Sequence, residues 1–227
     1  MGIWRVKMSK PDESVISDTF IASITNSKQC SSPYEYWLLN DCLPEESIDE
    51  LISLPIEPVY IEDTKGERAS HNDSRFLFGE ENRQKYEVMD SISKAFQSSK
   101  VVDTLATLTH TSFEGTSLRI EYCQDTKGFW LEPHNDIGVK VFTMLIYLNR
   151  EPEAVNWGTD IYADKETYAG RIRADFNSAV IFIPSDKTWH GFEKREITGV
   201  RRALIINYVT PEWRNRDELC FPNESIR

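Results

Sequence analysis

Two short segments of the sequence carry side chain types that bind transition metals. His134 and Asp136 lie two positions apart within residues 132–136 (EPHND), and His190 follows much later in the chain. In extended backbone, residues i and i+2 point to the same side, so His134 and Asp136 can converge on one ion. Two imidazoles and one carboxylate form the facial triad that suits non-haem iron(II). A structural zinc site would instead close its shell with four protein ligands, so these residues predict a half-open iron site.

A second His-Asn-Asp triplet, at residues 71–73, offers a rival site. Together with His110 and Arg119 it would supply similar groups. Its segment, however, runs from a polar loop (62–75) through two predicted helices, where no pair of β-sheets brings the groups together. We therefore expect His71 and His110 to be surface or capping residues.

The first half of the chain is expected to be a support for the site. Residues 1–32 are polar and predict a weakly ordered segment, or a strand or two added to a sheet edge. Apolar residues at helical spacing predict helices over 44–52, 80–98 and 100–108, so that residues 33–115 form a helical support region.

The second half has a different pattern. Eight short β-rich runs, separated by turn residues, cover 117–123, 129–135, 139–148, 158–162, 170–174, 178–183, 189–193 and 200–209. Such a series without a long helix predicts an antiparallel sandwich or barrel. We expect a single domain (1–227), mainly β with α, in which residues 116–210 form the core and residues 211–227 a tail.

The region from about Leu118 to Val209 resembles the prolyl-4-hydroxylase-like branch of the 2-oxoglutarate/iron(II) oxygenases. Five motifs match in order: a strand ending in tyrosine (118–122), the HxD followed by a strand ending in Tyr-Leu-Asn (147–149), a Gly-containing strand (157–162), a hydrophobic strand (179–184) before the distal histidine, and an arginine strand (201–208). The whole chain resembles bacterial-type members of this branch. The resemblance implies a double-stranded β-helix, or jelly-roll, core with the N-terminal helices packed on it.

The resemblance also implies a set of ligands and their binding residues. Iron(II) would be held by His134, Asp136 and His190, and would bind 2-oxoglutarate and dioxygen, with ascorbate as a further reductant. Arg201, eleven positions after His190, would pair with the distal carboxylate of 2-oxoglutarate through its guanidinium fork. An exposed salt bridge is the alternative for Arg201, since Arg202 is adjacent.

Further cosubstrate contacts are expected from residues that share strand faces. Thr143 and Tyr147 lie on one face of their strand, and Asn207 lies on the same face as Arg201. Tyr122 is a further candidate. The sequence departs from the family at Asn207, where an aromatic residue is common, and at Trp157, which replaces the first of two glycines.

Three residues are weaker candidates for substrate contacts. Trp130 and Trp189 flank the predicted ligands in sequence and would shape the mouth of the site, although buried aromatic residues usually serve packing. Arg75 follows the polar loop and would lie over the site as part of a lid.

Composition limits the partners. The 26 basic and 37 acidic residues give a net charge of −11, which argues against nucleic acid and against an anionic membrane surface. Four scattered cysteines without a CxxC pair, and no apolar segment of a secretory signal or membrane span, predict a cytoplasmic location. The expected substrate is a small molecule or a peptidyl side chain.

The expected activity is hydroxylation of a C–H bond with release of succinate and CO2. Halogenases of the same family lack the carboxylate ligand, so Asp136 favours hydroxylation or a related oxidation. The alternative is a cupin-type jelly-roll metalloprotein without 2-oxoglutarate turnover: an isomerase, another dioxygenase or a non-catalytic binding module. The sequence leaves the oligomeric state open.

Overall fold

The chain folds into two antiparallel β-sheets with helices on one side. The structure, a computed structural model, describes residues 12–67, 72 and 74–227. Within these residues the helices are α1 (Glu13–Thr25), α2 (Glu45–Ile52), α3 (Glu80–Lys85), α4 (Glu87–Gln97) and α5 (Ser99–Thr109). The strands are β1 (Lys28–Cys30), β2 (Tyr36–Leu39), β3 (Arg75–Leu77), β4 (Ser117–Asp125), β5 (Leu131–His134), β6 (Lys140–Tyr147), β7 (Asp160–Tyr162), β8 (Tyr168–Arg171), β9 (Ala179–Phe182), β10 (His190–Phe192) and β11 (Arg201–Val209).

The eight strands predicted for the C-terminal half are all present and form the jelly-roll core. The large sheet has the order β1-β2-β9-β6-β11-β4-β3, and the small sheet has the order β5-β10-β7-β8. Strands consecutive in the chain thus alternate between the sheets from β4 to β7, as a double-stranded β-helix requires. The predicted fold class, mainly β with helices from the N-terminal half, is confirmed.

The segment after Asp12 forms a helix that the sequence did not predict. Helix α1 begins where the side chain of Asp12 accepts a hydrogen bond from the Ser14 N–H at 2.8 Å, and it buries Ile16, Phe20 and Ile24. Its serines and β-branched residues are modest helix formers, so packing decides its conformation. The predicted edge strand is present as β1, while residues 1–11 lie outside the described part of the chain.

The support region is less purely helical than expected. Helices α2 and α5 match their predictions, but the predicted helix over 80–98 is divided into α3 and α4 at Tyr86, whose backbone is extended (φ −123°, ψ 110°). Strands β2 and β3 also belong to this region and complete the large sheet on either side. Three-residue β3 pairs with β4, with Arg75 opposite Cys123.

The two faces of the large sheet have different surroundings. One face is covered by the helices and forms the main hydrophobic core, which includes Phe20, Phe96, Ile120 and Tyr208. The opposite face looks toward the small sheet, and the cleft described below lies between them. Among the described residues, no helix has the length and apolar character needed to cross a membrane.

Candidate metal centre

Strand pairing in the small sheet brings two histidines together. Strands β5 and β10 pair in antiparallel register with His134 directly opposite His190, and the centres of the two imidazole rings are 4.4 Å apart. Asp136 follows His134 by two residues, just beyond the end of β5. One donor atom from each of the three side chains lies within 4.8 Å of the others, so a single ion can contact all three.

Backbone carbonyls orient both imidazoles. The Nδ1 atom of His134 lies 2.9 Å from the carbonyl oxygen of Glu132, and Nδ1 of His190 lies 3.0 Å from that of Thr188. A carbonyl oxygen only accepts, so each Nδ1 carries the hydrogen and each Nε2 keeps its lone pair. Metal-binding histidines are typically oriented in this way, and the donor set therefore fits an iron(II) ion.

The carboxylate of Asp136 is held by two donors. Lys140 Nζ lies 2.6 Å from Oδ1, and the Thr143 hydroxyl donates to Oδ2 at 2.6 Å. Burial alone would raise the pKa of Asp136, but the charge of Lys140, the electrostatic effect of the neighbouring His190 and these hydrogen bonds hold it well below its ordinary value. Asp136 is therefore ionised at neutral pH, as a metal ligand must be.

The imidazole of His134 is neutral for a related reason. Burial, reinforced by the neighbouring His190, lowers the pKa of His134 from about 6.5 to about 4. At neutral pH the ring is therefore uncharged, which is the form that coordinates metals.

These three side chains line a cleft between the two sheets. Its other polar and charged lining residues are Arg75, Lys140, Thr143, Thr159 and Arg201. Its apolar lining residues are Phe129, Leu131, Leu145, Phe192 and Ile205. A mostly apolar cleft with a few convergent polar groups is typical of small-molecule sites.

Arg201 is buried in this cleft and is not an exposed salt bridge. Its Nη1 donates to Asp125 Oδ2 at 2.5 Å and its Nε donates to the Trp157 carbonyl oxygen at 2.6 Å. Its guanidinium carbon lies 4.9 Å from the ring centre of Phe192. Among the described residues no hydrogen bond occupies Nη2, so this donor can reach a ligand in the cleft.

The other predicted cosubstrate residues have different positions. Thr143 lines the cleft, but its hydroxyl contacts Asp136, and Asn207 Nδ2 donates to that hydroxyl at 2.9 Å. The Tyr147 hydroxyl donates to Thr159 Oγ1 at 2.8 Å, with its ring beside Arg201 at 5.9 Å. Tyr122 belongs to the helix-covered face and packs in the main core; because alternate residues of β4 face opposite ways, the structure does not bring it to the cleft.

The structure also shows where the three weaker candidates for substrate contacts lie. Arg75 is not in a lid: it belongs to β3 and its side chain lines the cleft. The half-buried Trp130 and Trp189 do not line it, and Trp130 instead donates to Asp63 Oδ1 at 2.6 Å. His110 forms the left-handed C-cap of α5, as expected of a capping residue, while His71 and Asp73 lie outside the described residues.

Sequence analysis missed two charged residues of the cleft region. Lys140 contacts Asp136, and Asp125 contacts Arg201. A signal for Asp125 exists in the alternation of β4, where Arg119, Glu121, Cys123 and Asp125 share one face of the strand. That pattern marks a polar inner face, but it does not identify which cation each carboxylate meets.

Comparisons with known proteins found a family model that matches the part of the chain around this cleft. Residues 105–210 match the model of the 2OG-Fe(II) oxygenase superfamily. No curated protein matches the chain. Among solved structures, a prolyl 4-hydroxylase from Phytophthora capsici has a TM-score of 0.59 at 14% identity, over 93% of this chain and 70% of that one.

Two further structures are similar. A Pseudomonas putida prolyl-4-hydroxylase has a TM-score of 0.54 at 12% identity, over 85% of this chain and 93% of that one. The viral collagen prolyl hydroxylase of Paramecium Bursaria Chlorella virus-1, in a 2OG complex, has a TM-score of 0.54 at 16% identity, over 80% and 98%. The chain has the fold of the prolyl 4-hydroxylases, and its residues 105–210, which contain the His-Asp-His cluster, match the model of the 2OG-Fe(II) oxygenase superfamily.

Proposed function

We propose that the protein is an iron(II)- and 2-oxoglutarate-dependent dioxygenase that hydroxylates a C–H bond of a small molecule or a peptidyl side chain. The observation that carries this proposal is one cleft lined by a His-Asp-His cluster with the buried guanidinium of Arg201 in its wall. A metal-binding module without cosubstrate gives no role to the Nη2 donor of Arg201, which stays available while Nε and Nη1 are engaged by Trp157 and Asp125.

Each residue has a proposed task. His134, Asp136 and His190 hold the ion through two Nε2 atoms and one carboxylate oxygen, which leaves the remaining positions open. Arg201 binds the distal carboxylate of the cosubstrate, and the rings of Phe129 and Phe192 keep water from that ion pair. When bound, iron(II) supplies an oxidation in which O2 and 2-oxoglutarate give succinate and CO2, with the second oxygen atom going to the substrate C–H bond.

Two observations support the substrate class. The prolyl hydroxylases that share the fold support a peptidyl or amino-acid-like substrate, and the net charge of −11 supports a substrate other than nucleic acid. Dioxygen and 2-oxoglutarate are common to both substrate types, with ascorbate as the proposed reductant.

The test is succinate formation with a panel of candidate substrates, with and without Fe(II). The wild type is expected to form succinate only when iron is present. Asp136→Ala is expected to lower the rate of succinate formation by at least about a hundredfold. The change removes one of the three proposed metal ligands and leaves the ammonium of Lys140 without its partner. Thr126→Val, away from the cleft, is the matched control and should retain wild-type turnover.

The opposite result has a clear meaning. If the wild type binds Fe(II) anaerobically, as measured by calorimetry, but shows no binding of 2-oxoglutarate and forms no succinate, the dioxygenase proposal fails. A cupin-type metalloprotein would then be the better description.

A further inference from the structure

A ladder of alternating charges crosses the inner face of the large sheet. It runs from Glu218 to Arg119 (2.7 Å), then to Glu121. From Glu121 it continues to Arg75 (4.0 Å), to Asp125 (3.4 Å), and ends at Arg201 (2.5 Å). One end, Glu218, is partly exposed to solvent, whereas the other end, Arg201, is buried in the cleft.

Arg75 is the cation of this ladder with two buried donor atoms that lack a hydrogen bond among the described residues. Its side chain is 6% exposed and lines the cleft. Its Nε and Nη1 atoms are buried and have no hydrogen-bond partner within the part of the chain that the structure describes. A buried donor without an acceptor costs about 1–3 kcal/mol, and more when the group is charged, so these atoms point to an acceptor that a ligand supplies.

Arg75 and Arg201 are placed to act on the same anion. Both contact the two oxygens of one carboxylate, Asp125, and both guanidinium carbons lie beside the Phe129 ring, at 5.8 and 5.7 Å. The ladder as a whole is neutral, but Arg75 is its most loosely held cation, because its two carboxylate contacts, to Asp125 and Glu121, are 3.4 and 4.0 Å long. The third cation of the cleft, Lys140, is neutralised by Asp136, and nearby Arg195 is paired with Asp160.

We infer that Arg75 is a second carboxylate-binding residue, which together with Arg201 holds the distal carboxylate of the 2-oxo acid on the side of the guanidiniums away from Asp125. This inference rests on the proposed function and deepens it. A carboxylate with two oxygens can accept from both guanidiniums at once, and such charge-assisted bonds are the strong ones. The cleft therefore selects dicarboxylic over monocarboxylic 2-oxo acids through two cations.

The test compares two ligands that differ only in the distal carboxylate. Calorimetric titration of the Mn(II)-loaded protein with 2-oxoglutarate, and with 2-oxopentanoate of the same chain length, gives binding constants without turnover. Arg75→Gln is expected to weaken 2-oxoglutarate binding about tenfold to a hundredfold, the effect typical of a hydrogen bond to a charged group. Binding of 2-oxopentanoate should change by less than about twofold.

Arg119→Gln is the matched control. Arg119 is an equally buried member of the same ladder, at 6% exposure, but it does not line the cleft. Its variant is expected to lose thermal stability to a similar extent and to bind both acids as the wild type does. If the role of Arg75 is purely structural, both variants should bind both acids more weakly and to the same extent. That result overturns the inference.

A further variant separates this inference from the proposed function. If Arg201→Gln loses 2-oxoglutarate binding while Arg75→Gln binds it as the wild type does, the dioxygenase proposal stands and the role of Arg75 falls. Arg75 would then be free to meet a carboxylate of the primary substrate. If the wild type does not bind 2-oxoglutarate, both are wrong.

Discussion

The carboxylate of Asp136 is oriented by neighbouring side chains of the cleft. Its two oxygens contact Lys140 and Thr143, and Asn207 in turn donates to the Thr143 hydroxyl. Thr143 and Asn207 therefore orient the carboxylate proposed to bind the metal, although the sequence suggested that they bind the cosubstrate. Asn207, which departs from the aromatic residue common in the family, acquires a physical role through this chain of hydrogen bonds.

The Thr143 hydroxyl can be tested directly. Thr143→Val removes the donor to Asp136 Oδ2 while keeping the side chain volume, so the carboxylate loses its fixed orientation. We expect metal affinity to fall about tenfold or more, the usual effect of losing such an outer contact, as measured by anaerobic titration with Fe(II).

The control is another buried threonine. Thr126 donates to the Val59 carbonyl oxygen at 3.3 Å and is not among the residues that line the cleft, so Thr126→Val should keep wild-type affinity. Equal losses in both variants would mean that the hydroxyl of Thr143 has no special role.

Single residues differ in how far the sequence could predict them. His134, Asp136, His190 and Arg201 have recognisable spacing and strand parity, and the structure gathers them in one cleft. Lys140 and Asp125 could not be predicted as partners, because their contacts depend on the exact position of side chains across a sheet and a turn. Tyr122 was misplaced because a motif position does not reveal which face of a strand it occupies.

At the scale of elements, the pairing of β5 with β10 sets the distance between the two histidines. Gly191, next to His190, lies close to the partner strand: a Cβ there would meet the Leu131 carbonyl oxygen at 2.8 Å and Glu132 at 3.2 Å. These are backbone atoms that cannot move without changing the register. The small residue thus permits the close approach of the two strands.

Gly191→Ala is therefore expected to disturb the centre through the backbone alone. The added methyl group would push β10 from β5 and separate the imidazoles, and metal affinity should fall at least about tenfold in calorimetric titration. At Gly199 a Cβ would meet nothing within 4 Å, so Gly199→Ala should bind metal normally. Wild-type affinity in Gly191→Ala would contradict the role given to this strand pair.

The helices and strands were predicted correctly where the local sequence pattern determines them. The eight core strands have clear alternation and turn residues between them. Strands β1, β2 and β3 are three or four residues long, and their strand character depends on partners far away in the chain. Helix α1 likewise depends on burial of three apolar residues against α4 and α5, which no local signal reveals.

At the scale of the whole molecule, the two faces of the large sheet differ in what they contribute: one forms the main core and the other lines the cleft. Its helix-covered face contains the main core, and its other face contributes Arg75, Thr143 and Arg201 to the cleft. Phe20 of α1 is fully buried and its ring lies 4.7 Å from that of Phe96. Changes in this core should therefore alter stability and leave the cleft intact.

Phe20→Ala is expected to lower the free energy of unfolding by about 3–5 kcal/mol, as large-to-small core changes do. Metal affinity of the folded protein should stay within about twofold of the wild type. Denaturant unfolding and metal titration below the unfolding transition measure the two effects. Val15→Ala, at a residue 50% exposed, should change stability by less than about 0.5 kcal/mol; an affinity loss in Phe20→Ala would show that the two faces are coupled.

The alternation of faces along β11 has a consequence for how this chain can vary. Arg201 and Arg202 are neighbours, with one in the cleft and the other directed away from it, and the strand pairs on both sides with β4 and β6. A one-residue slip would exchange every inward and outward side chain. A substitution at one position of these strands therefore alters packing only locally, whereas a single inserted or deleted residue within them would exchange the cation-bearing face for the apolar one.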